Sequence, residues 1–315
     1  MMNANETSDI GRAVERQLAR VATERPDELP PARAAAQTVL RLPADLGLGA
    51  FLGSLRADAK PRFLFRFAAG RPRPWPAKQI VLKVYGDHPR GEGPLQARWR
   101  DRGVGTPPLV HGRAGACSWL LMPFLKLQEI KPGPLEQWAA VTDLLAAQAP
   151  LLHAAADDLD PVLRPLEVVM LPRLRQAVHV LERAGATAPP RWRAAASAYS
   201  GGVTPLHGDL SLANMGLDPD GALVIYDASA LRGPLAYDAV RWAARATSSS
   251  VSPQTLLERW ARHEPLPDRD ALEDLLAVEC VLEAGSRYVV AKRDGRDGAT
   301  PPGVAELLET AHALA

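Results

Sequence analysis

The stretch His207-Gly-Asp-Leu-Ser-Leu-Ala-Asn214, followed by Val224-Ile-Tyr-Asp227, decides how this 315-residue chain is read. Residues 203–228 carry two short apolar runs separated by Asp218-Pro-Asp-Gly221. They read as strand, loop, turn and second strand, an irregular hairpin set among helical patterns. Loops held by strands are suited to fixing reactive side chains. Asp209 and Asn214 lie five positions apart across the loop, and Asp227 closes the second strand. A carboxylate, an amide oxygen and a second carboxylate form the hard oxygen set that magnesium accepts, with waters and substrate phosphates completing its shell. Histidine suits softer ions, so His207 reads as a residue that shapes the loop and Gly208 as the one that lets the backbone turn. Any one of these acids alone would read as a surface or capping carboxylate; the spacing of the set is what singles it out.

Upstream, Arg62–Ala68 and Gln79–Tyr85 alternate as strands joined by the Pro-rich stretch 71–78. Lys83 interrupts the second run between Leu82 and Val84, a costly place for an ammonium unless it is paired. Residues 95–103 read as a helix with Pro94 near its start and Gly103 past its end, and 116–124 as a further strand. Residues 8–23 space Ile10, Val14, Leu18 and Val21 as one face of a short helix. A Pro-interrupted linker, 24–33, follows it. From Pro134 onward the periodicity is helical, with helices expected near 165–184, 189–199, 235–247, 254–263, 269–293 and 303–314. The predicted fold class is therefore α+β: a small antiparallel-sheet lobe over 31–126 behind an extension of 1–30, then a larger mainly helical lobe over 127–315.

Composition removes several function classes. Hydrophobic residues make up 47 % and charged residues 23 % of the chain, as in ordinary globular domains. No apolar run is long enough for a membrane span and the N-terminal residues lack a signal-peptide pattern, so a cytoplasmic protein with no membrane partner is expected. Two cysteines, Cys117 and Cys280, offer neither a metal cluster nor a disulfide framework. The net charge of +1 gives no reason to expect a nucleic-acid partner. That average conceals a split of 20 basic against 11 acidic residues in 1–126 and 17 against 25 in 127–315. The split reads either as solvated surface or as one anion-attracting and one cation-attracting half.

The HGDLSLAN segment and the strand-ending VIYD resemble the HGDxxxxN motif and following Asp of the aminoglycoside phosphotransferase family. Choline, homoserine and fructosamine kinases are relatives of that family within the protein-kinase-like fold. GPLAYDAVRWAA, residues 233–244, is similar to the family's Gly-Pro turn and Asp-led helix. The resemblance implies two lobes with ATP in the cleft between them. It makes Asp209 the catalytic residue that orients the acceptor hydroxyl and takes its proton, with Asn214 and Asp227 holding Mg2+. It gives Lys83 the α- and β-phosphates of ATP, with Glu92 its candidate partner and Gln96 the alternative at that place. Met122, Pro123 and Phe124 fall where the family's hinge meets the nucleotide base. Pro123 has no N–H, so a donor to the base comes from a neighbour such as Leu125. The family's Gly-rich loop is matched only by Gly47-Leu-Gly49-Ala-Phe-Leu-Gly53. The chain also departs from the family after Asp227, where Ala228-Ser229-Ala230 replaces the usual Trp and acid.

The acid-rich second half suggests a small cationic acceptor such as an aminoglycoside, with Glu279 and Glu283 the best-placed acids because they share one helix face. A metabolite carrying a hydroxyl (amino alcohol, sugar or homoserine-like) is the alternative acceptor. A catalytically silent ligand-binding module of the same fold is the alternative outside enzymes. Nucleotide and acceptor are thus the expected partners, and the oligomeric state, a monomer included, is open.

Overall fold

A computed structural model describes residues 4–55, 60–70, 75–86, 91–189, 192–248, 250–296 and 300–314. The chain divides into two compact units, 1–101 with 106–126, and 102–105 with 127–315.

The first unit is built on a five-stranded antiparallel sheet in the order β1-β2-β3-β5-β4. Its elements run α1 (Ala4–Glu24), α2 (Leu29–Asp45), β1 (Phe51–Ser54), β2 (Arg62–Ala68), β3 (Gln79–Tyr85), α3 (Glu92–Asp101), β4 (Val110–Ala114) and β5 (Cys117–Pro123). In β2 the period-two pattern puts Phe63, Phe65 and Phe67 on one face. The pairing Phe63↔Val84, Phe65↔Leu82 and Phe67↔Ile80 continues that face into β3. The face is buried under Ala35, Ala36 and Val39 of α2 and Ile10 and Val14 of α1. Burying each large side chain of this kind is worth about 1.5–3 kcal/mol, which explains why strand and helix both obey their hydrophobic period here. The opposite face of the central strand β3 carries Val81, Lys83 and Tyr85.

Two expectations change. Residues 1–30 belong to the first unit: α1 buries Ile10, Ala13, Val14 and Val21. The segment 24–33, expected as a linker, is a short 3-10 turn over Pro26–Glu28 running into α2, whose first turn holds Pro30 and Pro31. Proline at a first helical turn loses no intrahelical hydrogen bond, so the prolines mark a helix start.

The second unit contains α4 (Leu135–Ala146), α5 (Ala149–Leu152), β6 (Arg164–Pro165), α6 (Leu166–Arg183), α7 (Trp192–Ala195), β7 (Thr204–Leu206), β8 (Met215–Leu217), β9 (Leu223–Ile225), β10 (Leu231–Gly233), α8 (Tyr237–Ala246), α9 (Pro253–Trp260), α10 (Arg269–Arg293) and α11 (Val304–Ala313). The 25-residue α10 is its spine, buried along Leu275, Val278, Val281 and Leu282 and packed by α6, α8 and α11. Against these helices sit a three-stranded sheet ordered β6-β10-β7 and the hairpin β8-β9. No helix among the described residues is long and apolar enough to cross a membrane.

Candidate active site

In the first unit, Lys83 is 2 % and Glu92 3 % exposed, and Lys83 Nζ lies 2.9 and 2.8 Å from Glu92 Oε1 and Oε2. The ammonium also stands over the Tyr85 ring, 5.0 Å from its centroid. Glu92 is the first residue of α3, and Gly93 lets that helix settle on β4: a Cβ there would lie 2.6 Å from the Cβ of His111. The Glu92 carboxylate further accepts from the Tyr85 hydroxyl and, at 3.0 Å, from Gln96 Nε2. Gln96 thus supports Glu92 and does not take its place. Two charges buried together need this density of hydrogen bonds to offset their desolvation.

The hinge candidates follow directly in β5 and beyond it. Met122 pairs with Val81 and is half-buried. Phe124 gives its N–H to Gln79 O at 2.9 Å and its ring to the Arg66 guanidinium. Leu125 is exposed, and its N–H has no hydrogen-bond partner among the described residues. The glycines expected as a phosphate loop fall elsewhere. Gly47 and Gly49 precede β1 and Gly53 is inside it at a strand irregularity. The β1–β2 connection at 55–61 contains no glycine, and its residues 56–59 lie outside the described ones.

In the second unit, the loop after β7 carries His207, Gly208 and Asp209. Gly208 has φ 75°, and a Cβ there would meet the Leu231 side chain at 2.8 Å. Both the turn and the close approach therefore require glycine. His207 is fully buried; its Nε2 faces Tyr226 O at 3.1 Å and its Nδ1 accepts from Asp209 N at 3.2 Å. Burial pushes the imidazole pKa below its ordinary value, and one donating and one accepting nitrogen is the pattern of the neutral ring. His207 thus ties the loop to the strand leading to Asp227.

Asp238, the second residue of α8, holds the loop from below: Oδ2 accepts from His207 N at 2.7 Å and Oδ1 from Gly208 N at 2.8 Å. Asp238 Oδ2 also faces His153 Nε2 at 3.1 Å, and His153 Nδ1 faces Glu264 at 2.8 Å. Burial would lower the His153 pKa, but the two carboxylates outweigh it and push it up to about 9. A charged His153 therefore clamps two buried acids, which is how Asp238 stays ionised at the centre of the unit. Its carboxyl lies below its ordinary value because those hydrogen bonds and charges exceed the cost of burial.

Asn214 donates Nδ2 to Asp209 O at 2.8 Å and to Asp209 Oδ2 at 3.2 Å. That leaves its Oδ1 uncommitted among the described residues. The β8–β9 register, Met215↔Ile225, brings the strand ends preceded by Asn214 and followed by Asp227 together. Tyr226 N closes the end by donating to Asn214 O at 2.9 Å. Asp227 is half-buried with φ 60°, and Ala230 follows at φ 50°. Left-handed backbone at two non-glycine residues is strain of a kind concentrated at working sites. A carboxylate and a free amide oxygen at one hairpin end fit a magnesium ion. No group of three or more His, Cys, Asp or Glu side chains among the described residues offers a competing metal site.

Beside Asp209 the surroundings are cationic. Arg245 Nη2 lies 2.6 Å from Asp209 Oδ1, and Arg245 Nη1 reaches Leu210 O at 3.3 Å. Burial pushes the Asp209 carboxyl up, but the charges of Arg245, Arg241 and Arg173 outweigh it and hold the pKa below its ordinary value. Glu279 and Glu283, the acids expected to meet a cation, are engaged within the protein. Glu279 is 0 % exposed and is shared by the Tyr199 hydroxyl, at 2.5 Å, and Arg241 Nη1, at 2.9 Å. Glu283 faces Arg241, Arg245 and Arg287 at 3.6, 3.8 and 3.2 Å. The four-residue spacing that set the two acids on one face of α10 matches the same spacing of Arg241 and Arg245 on α8. They form an interhelical charge ladder, and the matching four-residue spacings on the two helices are its signal in the sequence.

No family model and no curated protein matches the sequence. Solved structures do. A spectinomycin phosphotransferase, crystallised with ADP and spectinomycin, matches with a TM-score of 0.53 at 12 % identity over 88 % of this chain and 98 % of its own. A choline/ethanolamine kinase family protein from Mesorhizobium loti matches at 0.51 and 14 % identity over 90 % and 93 %. A choline kinase from Streptococcus pneumoniae matches at 0.50 and 11 % over 88 % and 97 %. The chain has the protein-kinase-like fold these kinases share.

Proposed function

We propose that the chain is an ATP- and Mg2+-dependent O-phosphotransferase acting on a small hydroxyl compound. The observation that carries this reading is the loop in which Asp209 is held by Asn214, with Asp227 at the adjoining hairpin end. The fold supports it, as does the buried Lys83–Glu92 pair, which presents an ammonium in the form phosphoryl transfer uses on the nucleotide phosphates.

In this mechanism Lys83 meets the α- and β-phosphates, oriented by Glu92. Leu125 offers its N–H, and Met122 and Phe124 their side chains, to the base. Asn214 Oδ1 and the Asp227 carboxylate would hold magnesium, which when bound neutralises charge on the transferring phosphates. Asp209 positions the acceptor hydroxyl and accepts its proton as the new P–O bond forms and the β–γ bridging oxygen leaves with ADP. The transition state is loose, so a weak base suffices and positioning dominates. A depressed Asp209 pKa is compatible with that role and ill-suited to strong base catalysis. Asp238 and His207 keep the loop in place. A silent binding module would have no use for Asp209, Asn214 and Asp227 in this arrangement.

The test is a mass-spectrometric screen of hydroxylated small molecules with protein, ATP and magnesium. Gain of one phosphate by an acceptor is the expected result. Absence of Mg2+-dependent ATP binding by calorimetry would remove the enzyme reading.

A further inference from the structure

Three residues of α8 stand four apart on one stripe, Tyr237, Arg241 and Arg245, on the side that ends at Asp209. Each holds a buried donor without a hydrogen-bond partner among the described residues: Tyr237 Oη, Arg241 Nε and Arg245 Nε, the last 3.8 Å from Glu283 Oε2. An unsatisfied buried donor costs about 1–3 kcal/mol, so three along one stripe point to a ligand that brings several acceptor oxygens. The charges around them agree. Glu279 is fully buried and Glu283 only 13 % exposed, both committed to arginines, whereas Arg245 is 22 % and Asp209 32 % exposed. Arg173 on α6 is exposed, has no carboxylate partner among the described residues, and its charge reaches both Asp209 and Tyr237. Arg241, Arg245 and Arg287 take up Glu279 and Glu283, so the partly exposed Arg245 and the exposed Arg173 are the cations left to answer an anion beside Asp209.

We infer that this stripe and Arg173 form an anion-binding subsite beside Asp209, and that the phosphate acceptor is a hydroxyl compound bearing a carboxylate or phosphate group. The inference rests on the kinase reading above and replaces the cationic acceptor expected from the acid-rich composition. The remaining acids of that region do not alter it: Glu258, Asp268, Asp270 and Asp274 are exposed, Glu273 is paired with Arg269, and Glu264 is buried against His153. In the reaction the anionic group of the acceptor takes donors of Arg245 and Arg173. The acceptor oxygen bonds to the γ-phosphorus of ATP, its proton passes to Asp209, and ADP departs with the bridging oxygen.

The experiment offers the full chain, with ATP and magnesium, four sets of compounds in parallel: hydroxy acids, sugar phosphates, neutral polyols, and amino alcohols with aminocyclitols. Phosphate gain is read by mass spectrometry. Transfer confined to the hydroxy acids or to the sugar phosphates is expected, and which of the two responds distinguishes carboxylate from phosphate. Arg173→Ala should then raise KM for that acceptor about tenfold or more, with kcat and the KM for ATP little changed and partial recovery in Arg173→Lys. Preferred transfer to neutral or cationic compounds, or an Arg173→Ala variant with unaltered KM, overturns the inference while leaving the kinase reading intact. Transfer to no set also counts against it. Calorimetry of Mg2+-ATP on the same sample then says whether the kinase reading has failed too.

Discussion

Arg245 Nη2 lies 2.6 Å from Asp209 Oδ1, so the carboxylate assigned to the acceptor hydroxyl is already half of an ion pair. A carboxylate held below its ordinary pKa by a guanidinium stays ionised well into acid. Replacing Arg245 with Met removes the nearest opposing charge and lets burial raise the Asp209 pKa. The acid limb of the pH profile of phosphate transfer should move to higher pH in Arg245→Met. An acid limb that stays in place would show that Asp209 ionisation does not govern the rate.

His153 predicts the alkaline limit of stability. Its folded pKa of about 9 exceeds the value of 6.5 expected unfolded, so its contribution is complete below pH 6.5 and is lost as pH rises through 9. The shift corresponds to something on the order of 3 kcal/mol. Asp238, depressed in the folded state, acts in the other direction, contributing above its unfolded value of 3.8 and losing that contribution in acid. Urea unfolding at pH 6 and pH 10 should show the native chain markedly weaker at pH 10. His153→Gln should be weaker at pH 6 and flatter between the two. Equal pH dependence in both proteins would remove His153 from the account.

The Lys83–Glu92 pair predicts a stability cost alongside a binding cost. Removing one partner of a buried pair strands the other charge, at about 3–5 kcal/mol. Lys83→Met should lower the unfolding free energy by that order and weaken Mg2+-ATP binding. Lys83→Met combined with Glu92→Leu should recover much of the stability and none of the binding. Recovery of both by the double variant would show that the lysine serves only the fold.

Glu279 separates a structural acid from an acceptor-binding one. With Arg241 and Tyr199 as partners and no exposure, Glu279→Ala should destabilise the second unit by about 3–5 kcal/mol in chemical denaturation, by leaving Arg241 short of a counter-ion. A variant of native stability with weakened acceptor binding would restore Glu279 to the site.

Much of the fold was legible because burial here follows simple periods. β2 alternates strictly between its two faces, and the strands at 62–68 and 79–85 and the helix at 269–293 have the bounds the sequence suggests. Elements whose local chemistry argues against them were not. β1 is four residues with a glycine inside, β4 is five mostly exposed residues, Val110–Ala114, also with a glycine inside, and α2 begins at Leu29 with Pro30 and Pro31 in its first turn. Within the candidate site, Asp209, Asn214 and Asp227 stand out by spacing, but the hairpin expected over 203–228 is not one unit: β7, before Asp209, pairs with β10, and only β8 and β9 form a hairpin. Asp238, His153 and Glu264 do not stand out, because they meet only through tertiary packing, with 85 and 111 positions separating His153 from its two acids. The ion pairs of the acids on α10 were hidden for a related reason: composition reports charge without showing which arginine already faces it.

Asp209 carries the proposed reaction, and the direct measurement is phosphate gain by an acceptor in the presence of Mg2+-ATP, native chain against Asp209→Asn. The native chain should transfer phosphate and the variant should be slower by roughly a hundredfold or more, with Mg2+-ATP binding retained by calorimetry. Transfer by Asp209→Asn at the native rate would contradict it.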